Sequence, residues 1–377
     1  MTSLKPITFD HIIYKLSKTS IKEKDIDYDI QFSNEFAYSL IKYSYIHFIL
    51  QNSLKIKDNI KKYKIINKIY LVVEPFEISI PPLNENNTTI LEETNKFIKK
   101  ISKDIPDIHS SNFMKMWEIY KTFDIISTEK SIKCIHLTDN NECYFVEPTI
   151  IFRENQKPKN KDEYFILSYE KIKNDFIDHF KDKISFETKS KTLADLITIE
   201  LNTIDEYSIL NEQNAIPLLI NLILNGLSMQ NDKGKMVIKI YETFTSVMVN
   251  LIEFLKLYYD NVYIYKPFTS YQFSSEKFLI CEKLNKTKIS SKIATILESL
   301  EEHKEFKVFK LFSDLEIDKK NDKEYVNMNT ELLVNKNTGI NNIVKFIQLD
   351  NKNGTEFYDY LTIQHEATAF WIKTFLK

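Results

Sequence analysis

Residues 235–282 read KMVIKIYETFTSVMVNLIEFLKLYYDNVYIYKPFTSYQFSSEKFLICE and combine three short apolar runs with one amphipathic helix. The first apolar run contains Lys239, and the third begins directly after Glu276. A charge in or beside a buried strand is costly unless it has a partner. Both residues are therefore candidates for an active site, and a purely structural ion pair is the simpler alternative.

The composition bounds the possible functions. The chain has 377 residues, 43% of them hydrophobic and 28% charged, which is typical of a globular protein. A formal net charge of −2 argues against a generally basic nucleic-acid-binding surface. Only four glycines are present, too far apart for a glycine-rich phosphate loop. Three cysteines without CxxC spacing and seven scattered histidines predict neither disulfides nor a metal site. Without an apolar leader or a membrane-length run, we predict a cytoplasmic protein with no membrane partner.

Changes in pattern divide the chain into three predicted segments. These are a mainly helical extension over 1–105, an α/β domain over 106–284 and a mainly helical region over 285–377. In the first segment we predict helical structure over 32–54, a strand over 69–73 and a helix over 91–102. In the last, predicted helices at 290–304 and 364–375 flank a polar middle rich in Asn and Lys.

Helices alternate with short β-rich runs in the middle segment. The predicted strands are 133–137, 164–167, 184–188, 195–199, 236–240, 262–265 and 278–281. The predicted helices are 112–120, 213–229 and 245–258, and a turn is predicted at 231–234. Strands that alternate with helices form a parallel sheet covered on both faces. Because no helix separates the last two strands, we predict that they form an antiparallel pair. This is a Rossmann-like methyltransferase fold, in which ligands bind at the carboxyl ends of the strands.

Four pieces of sequence in this segment carry a family resemblance. They are SSNFMKMWEI (110–119), LADLITIE (193–200), GKMVIKIYETFT (234–245) and VYIYKPFTSYQFSSEKFLIC (262–281). In this order they resemble the FtsJ-like (RrmJ-type) ribose 2′-O-methyltransferases, most closely the diverged branch of large cytoplasmic DNA viruses. The resemblance covers roughly residues 108–284, about half of the chain.

The resemblance implies a catalytic tetrad. The family's Lys-Asp-Lys-Glu residues correspond to Lys115, Glu200, Lys239 and Glu276. Methyl transfer to a ribose 2′-hydroxyl requires that the hydroxyl is oriented and loses its proton. A lysine can accept that proton if a neighbouring lysine lowers its pKa, and the carboxylates hold both ammonium groups in place. The implied cofactor is S-adenosylmethionine, and no metal is required.

Three departures from the family pattern weaken this implication. Glu200 replaces an aspartate and extends it by one methylene group. Asp139, Asn140 and Glu142 stand in a cofactor loop where the family has a Pro-Gly-Gly-like turn, so we predict that this loop does not bind the cofactor. Tyr271 replaces an arginine that could hold phosphate, which leaves it a weak candidate for substrate binding. Read without the resemblance, Lys115 is an exposed helix lysine and Glu200 an ordinary loop residue.

Three functions remain open. The first is an inactive methyltransferase homologue that serves as a scaffold or regulatory subunit in viral mRNA capping, similar to the poxvirus mRNA-capping-enzyme small subunit. Its partners would be capped mRNA and a viral capping enzyme or transcription machinery, in the cytoplasmic viral factory or packaged in the virion. The second is an active cap or RNA 2′-O-methyltransferase that uses S-adenosylmethionine. The third is an RNA-binding or virion structural component. Fold alone does not choose among them.

Overall fold

An eight-stranded sheet forms the centre of the computed structural model. The structure describes residues 9–22, 26–63, 66–79, 88–108, 110–127, 129–139, 143–159, 161–168, 175–187, 192–202, 211–303, 307–312, 319–349 and 354–377. The strands are β1 (Ile12–Lys15), β2 (Ile30–Ser33), β3 (Lys133–Thr138), β4 (Glu163–Leu167), β5 (Ile184–Glu187), β6 (Ala194–Glu200), β7 (Gln230–Ile240), β8 (Tyr259–Lys266), β9 (Lys277–Leu284) and β10 (Lys307–Leu311). The central sheet has the order β1-β8-β9-β7-β6-β3-β4-β5, and β10 pairs with β2 in a separate ribbon.

Helices cover both faces of the central sheet. They are α1 (Tyr43–Tyr63), α2 (Ile90–Ile101), α3 (Ser111–Phe123), α4 (Val146–Gln156), α5 (Asp175–His179), α6 (Asn211–Ser228), α7 (Ser246–Tyr258), α8 (Ile293–Glu302), α9 (Lys319–Gln348) and α10 (Thr355–Trp371). A 3-10 helix (Ile66–Val73) follows α1, and a π-helical turn (Ile372–Leu376) follows α10. No helix in the described ranges combines the length and apolar character needed to span a membrane.

The pairing directions confirm the predicted fold class. Strands β5, β4, β3, β6 and β7 are parallel neighbours, whereas β9 runs antiparallel to both β7 and β8. Strands β8 and β9 have no helix between them, as predicted, and form the closing hairpin. The domain thus has a Rossmann-like α/β fold with an antiparallel final strand.

Alternate residues of the central strands point to opposite faces of the sheet. Ile135 and Ile197 belong to the apolar cluster that includes α6 and α7. Cys134 and Leu196, their chain neighbours, belong to the cluster that includes α3 and α4. Near-continuous apolar runs such as MVIKI are therefore required, because both faces of these strands are buried.

Gly226 allows α6 to lie close against the sheet. A methyl group at this position would lie 2.9 Å from Met236 Cε and 3.2 Å from Ile197 Cγ2. A larger residue here would require the end of the Met236 side chain to shift, so the glycine favours the close packing of helix and sheet.

Both flanking segments are built into the domain. Strand β1 extends the central sheet by pairing antiparallel with β8. Helix α9 packs against α1, and Leu333 and Ile340 of α9 share an apolar cluster with Ile49 and Ile56 of α1. The predicted segment boundaries at 105 and 285 stay predictions.

Some predicted elements were wrong. Residues 69–73 lie in the 3-10 helix, not in a strand, and Phe32 lies in β2, ahead of a helix that begins only at Tyr43. The predicted turn at 231–234 lies within β7, whose pairing with β6 jumps from Gln230 to Lys235. The polar middle of the C-terminal region contains α9, a helix of 30 residues.

A fully buried ion pair fixes α4 to the amino end of the sheet. Arg153 Nε donates to Asp162 Oδ2 at 2.7 Å, and Nη2 donates to Oδ1 at 3.1 Å. The arginine also donates to the carbonyl oxygens of Ile126 and Lys130, and Asp162 accepts the backbone N–H of Ile132. Every charged atom of the pair thus has a hydrogen-bond partner, which is the condition for burying an ion pair without a large cost.

A second buried carboxylate, Glu118, lies one turn from Lys115 on α3 and has no solvent exposure. Its donors are the Tyr265 hydroxyl, the Phe268 N–H, the Thr269 N–H and hydroxyl, and the indole N–H of Trp371. The carboxylate therefore joins α3 to the loop after β8 and to α10. Burial raises the pKa of Glu118, while these donors lower it.

Candidate active site

The four candidate residues meet at the carboxyl edge of the sheet. Glu200 ends β6 and Lys239 is the next-to-last residue of β7, and these strands are parallel neighbours. Glu276 directly precedes β9, which pairs with β7. Lys115 projects from α3. The topology therefore brings together residues separated by up to 161 positions, the span from Lys115 to Glu276.

One carboxylate holds both lysines. Lys115 Nζ lies 2.6 Å from Glu276 Oε2, and Lys239 Nζ lies 3.4 Å from Glu276 Oε1. The three side chains are 9%, 6% and 8% exposed, respectively. Lys115 is therefore not an exposed helix lysine, since its ammonium group is buried against a carboxylate.

The charges in this cluster stabilise one another. Burial alone would raise the pKa of Glu276, but Lys115 and Lys239 outweigh it and lower that pKa to about 2. Burial would likewise lower the pKa of Lys239, but Glu276 raises it above its usual value. At neutral pH the cluster therefore contains an ionised glutamate and a charged Lys239. In this arrangement the cluster can orient a hydroxyl group, while Lys239 is not free to accept a proton.

Two residues that the sequence did not single out position Glu276. Ser270 Oγ donates to Glu276 Oε2 at 3.0 Å, and Lys266 Nζ donates to the Glu276 carbonyl oxygen at 3.0 Å. Lys266 is itself buried, at 9% exposure. Its place at the end of the apolar run VYIYK repeats the signal that marked Lys239, and this could have identified it.

Glu200 is bound to groups other than the lysines. Its Oε2 accepts the backbone N–H of Tyr144 at 2.7 Å, and its Oε1 accepts Asn112 Nδ2 at 3.3 Å. Asn112 also accepts from Lys115 Nζ at 3.4 Å, so it links the two candidates. Burial raises the pKa of Glu200 to about 7, although the charge of Lys239 lowers it in part. Neither Asn112 nor Tyr144 was identified from the sequence.

The described residues beside the loop after β3 are engaged with the protein itself. Of the predicted loop residues, Asn140 and Glu142 lie outside the described residues. Asp139 Oδ1 accepts the backbone N–H of Asn202 at 3.0 Å. The Tyr144 N–H, a donor that could have met an anionic ligand, is bound to Glu200. Side chains of the protein therefore accept the backbone N–H groups of Tyr144 and Asn202.

Tyr271 is engaged with the N-terminal segment. Its hydroxyl donates to Glu77 Oε2 at 2.6 Å, and its ring stacks on Phe273 with centroids 5.2 Å apart. Burial, followed by the charge of Glu77, raises the pKa of the hydroxyl. A role of Tyr271 in substrate binding stays a prediction, and so do the catalytic roles of the tetrad.

The folded protein should lose stability as the pH rises from 5 to 8, and replacing Glu200 with glutamine should reduce that loss. The folded pKa of Glu200 is about 7, against an ordinary value of 4.5, so the folded state holds this proton more tightly than the unfolded chain. Its contribution to stability is complete below the unfolded pKa and is lost as the pH rises through about 7. Urea unfolding at both pH values should give a wild-type loss that exceeds the Glu200→Gln loss by about 1–3 kcal/mol.

The variant comparison isolates Glu200, because every other group titrates in both proteins. The half-buried Glu93, which pairs with the exposed Lys96, is replaced by glutamine as the control and should follow the wild type. Identical pH profiles for wild type and Glu200→Gln would contradict the raised pKa.

Comparison with known proteins agrees with this geometry. Residues 155–284 match the family of FtsJ-like methyltransferases. An uncharacterized protein of Acanthamoeba polyphaga mimivirus is 24% identical over 189 residues, which make up 50% of this chain and 46% of that protein. The chain thus matches about half the length of this curated relative.

Two solved structures show limited similarity. One is a candidate class I S-adenosylmethionine-dependent methyltransferase of Listeria monocytogenes, with a TM-score of 0.34, 13% identity and coverage of 69% of this chain and 99% of that chain. The other is a candidate hemolysin of Streptococcus thermophilus, with a TM-score of 0.30, 10% identity and coverage of 52% and 75%. Scores this low carry no argument about function. The family match and the mimivirus relative support the resemblance: residues 155–284 are similar to the FtsJ-like methyltransferases.

Proposed function

We propose that this protein is a catalytically silent FtsJ-like methyltransferase homologue that acts as a scaffold or regulatory subunit in viral mRNA capping. The main observation in support of this proposal is the hydrogen bond from the Tyr144 N–H to Glu200. In sheets of this kind, ligands bind at the carboxyl ends of the strands, and backbone N–H groups of the first loop are natural anion donors. Here a side chain of the protein itself uses one of these donors.

The extra methylene of Glu200 explains how the contact arises. The aspartate that the family has at this strand end is one methylene shorter. Glutamate is long enough to bond to Tyr144 and Asn112 instead. The change keeps the charge and moves it away from the chemistry, and displacements of about 1 Å can cost roughly a hundredfold in rate.

The Rossmann-like fold and the buried cluster of Lys115, Lys239 and Glu276 support a binding role for the domain. Capped mRNA is the proposed nucleic-acid partner, because the methyltransferases that the chain resembles act on the ribose of RNA. A viral capping enzyme or the transcription machinery is the proposed protein partner, in the cytoplasmic viral factory or in the virion. The similarity to a mimivirus protein supports the viral context.

Wild-type protein should show no S-adenosylmethionine binding in isothermal titration calorimetry, whereas Glu200→Asp should bind it with an affinity at least about tenfold above the detection limit of the method. The shorter aspartate keeps the charge and releases the Tyr144 N–H. Transfer of a radiolabelled methyl group to capped RNA is the parallel measurement, and the wild type should give none.

Glu200→Gln is the matched control, because its length is unchanged and it should not restore binding. Micromolar binding of S-adenosylmethionine by the wild type would overturn catalytic silence. The subunit role needs a separate assay, in which the protein is added to the capping enzyme of the same virus. A chain that neither binds that enzyme nor changes its rate would overturn the subunit role.

An active RNA 2′-O-methyltransferase is the second candidate. The contact of both lysines with Glu276 favours it, because this is the arrangement expected for orienting a ribose hydroxyl. It requires that Glu200 leaves the Tyr144 N–H, so the calorimetric experiment decides between the two.

A further inference from the structure

A short segment near the N-terminus, residues 35–40, lies at the carboxyl edge of the sheet. The Ser246 N–H donates to the Tyr38 carbonyl oxygen at 2.8 Å, and the Leu40 N–H donates to the Phe244 carbonyl oxygen at 2.8 Å. Ser246 begins α7, the helix that follows β7, and β7 carries one of the two tetrad lysines. The segment therefore lies close to the end of β7, and we call it the edge segment.

The edge segment is also attached to α6. Gln213 on α6 accepts the Ala37 N–H at 3.3 Å and donates to the Glu35 carbonyl oxygen at 2.7 Å. The Tyr43 hydroxyl donates to the Ala37 carbonyl oxygen at 2.7 Å. Helix α6 is the next helix along the chain after β6, which ends in Glu200. The edge segment thus joins the starts of the two helices that follow the tetrad strands β6 and β7.

Two aromatic side chains of the edge segment are exposed to solvent. Phe36 is 52% exposed and Tyr38 is 73% exposed, whereas Ala37 between them is buried. In the described ranges no other large apolar or aromatic side chain is as exposed as Tyr38. The Phe36 ring also packs against Tyr43, with centroids 5.1 Å apart. The alternation of exposed and buried residues places both rings on the outer side of the segment.

Exposed rings on a fixed backbone are suited to stacking on a flat ligand. Every nucleobase has a π-face, and stacking on aromatic side chains is a usual way to bind single-stranded RNA. Because hydrogen bonds already hold the backbone, binding would cost little conformational entropy. Glu35 and Lys42 near the rings are both exposed and opposite in charge, so stacking and not phosphate attraction is what this segment offers. A protein interface would require about 800 Å² from each partner, far more than two rings supply.

We propose that the edge segment is a stacking platform for bases of single-stranded RNA, with Tyr38 as its main ring and Phe36 as the second. The identity of the ligand rests on the proposed function, in which RNA is a partner. The platform adds a contact outside residues 155–284, the part of the chain that matches the family. A base stacked on Tyr38 would place the RNA strand near the ends of β6 and β7, where Glu200 and Lys239 lie.

The first test measures binding of fluorescein-labelled oligouridine to the full chain by fluorescence anisotropy. Tyr38→Ala should weaken binding about tenfold, and Tyr38→Trp should bind at least as tightly as wild type. Tyr38→Ala should keep the wild-type slope of log K against log salt, because stacking releases no counterions. Tyr358→Ala is the matched control, since Tyr358 is 52% exposed on α10, which packs against the 3-10 helix. Phe36→Leu is the second variant, because leucine keeps an apolar contact with Tyr43 but has no aromatic face.

The second test uses the same strand with abasic riboses, which separates stacking from phosphate contacts. Wild type and Tyr38→Ala should bind the abasic strand equally. If Tyr38→Ala and Phe36→Leu both bind oligouridine as tightly as wild type, the platform is overturned while RNA stays a partner. A wild type that binds no RNA overturns the platform and the RNA partner together, and the capping-enzyme assay then decides the subunit role separately. If Tyr38→Ala keeps RNA binding but loses binding to the capping enzyme, the rings are a protein contact and the platform is overturned.

Discussion

Replacing Glu276 with glutamine should lower the free energy of unfolding by about 3–5 kcal/mol at pH 7. Lys115 and Lys239 would then lose the carboxylate that both contact, at 2.6 Å and 3.4 Å. Each lysine side chain is less than a tenth exposed, so water cannot replace the lost partner. Urea unfolding of wild type and variant measures the difference.

The same variant should change the response to acid. The pKa of Glu276 is about 2 in the folded protein against 4.5 ordinarily, so its stabilising effect is present above about pH 4.5 and is lost as the pH falls towards 2. Glu276→Gln should not show this part of the loss of stability in acid. Glu93→Gln is the control, because Glu93 pairs with the exposed Lys96, where solvent screens the interaction, and the pair should contribute little to stability. Equal losses for the two variants would contradict the buried cluster.

Arg153→Met should be similarly destabilising, by about 3–5 kcal/mol, because it leaves the Asp162 carboxylate buried without its cation. Methionine fills much of the same space, so the loss of stability would measure the contribution of the charge and of the hydrogen bonds to the Ile126 and Lys130 carbonyl oxygens. Equilibrium unfolding in urea, monitored by circular dichroism, measures it.

The exposed pair Lys159–Glu129 provides the matched control for this variant. It is 2.5 Å long with side chains 75% and 80% exposed. Lys159→Met should change stability by less than about 0.5 kcal/mol, since solvent screens such pairs. If Arg153→Met costs no more than Lys159→Met, the buried pair is not holding α4 against the sheet.

Much of the fold was predictable because its strands are buried on both faces. Runs such as MVIKI and VYIYK leave few alternatives to central strands, and the missing helix between β8 and β9 predicts their hairpin. Lys239 and Glu276 were visible as charges at the ends of such runs. Their contact also required the sheet order, which the sequence pattern supports only through the family resemblance.

Other features could not be predicted from the sequence, for physical reasons. Helix α9 escaped notice because its buried positions include Asn329 and Lys336 besides Tyr325 and Leu333, which obscures its apolar face. Asn112 resembles the many other asparagines of this chain until its contacts are known. The direction in which the Glu200 side chain points could not be predicted either, since one methylene decides whether its carboxylate reaches Tyr144.

The buried carboxylate of Glu118 has a consequence for the order of events on the ribosome. Its indole donor, Trp371, is made 253 residues later. Chains fold progressively as they emerge, so α3 is synthesised long before the last hydrogen-bond donor to its interior carboxylate exists. Four of the five donor groups belong to Tyr265, Phe268 and Thr269 and are made earlier. A nascent chain that has passed Glu276 therefore contains all four tetrad residues, but still lacks the indole that completes the hydrogen bonds of Glu118.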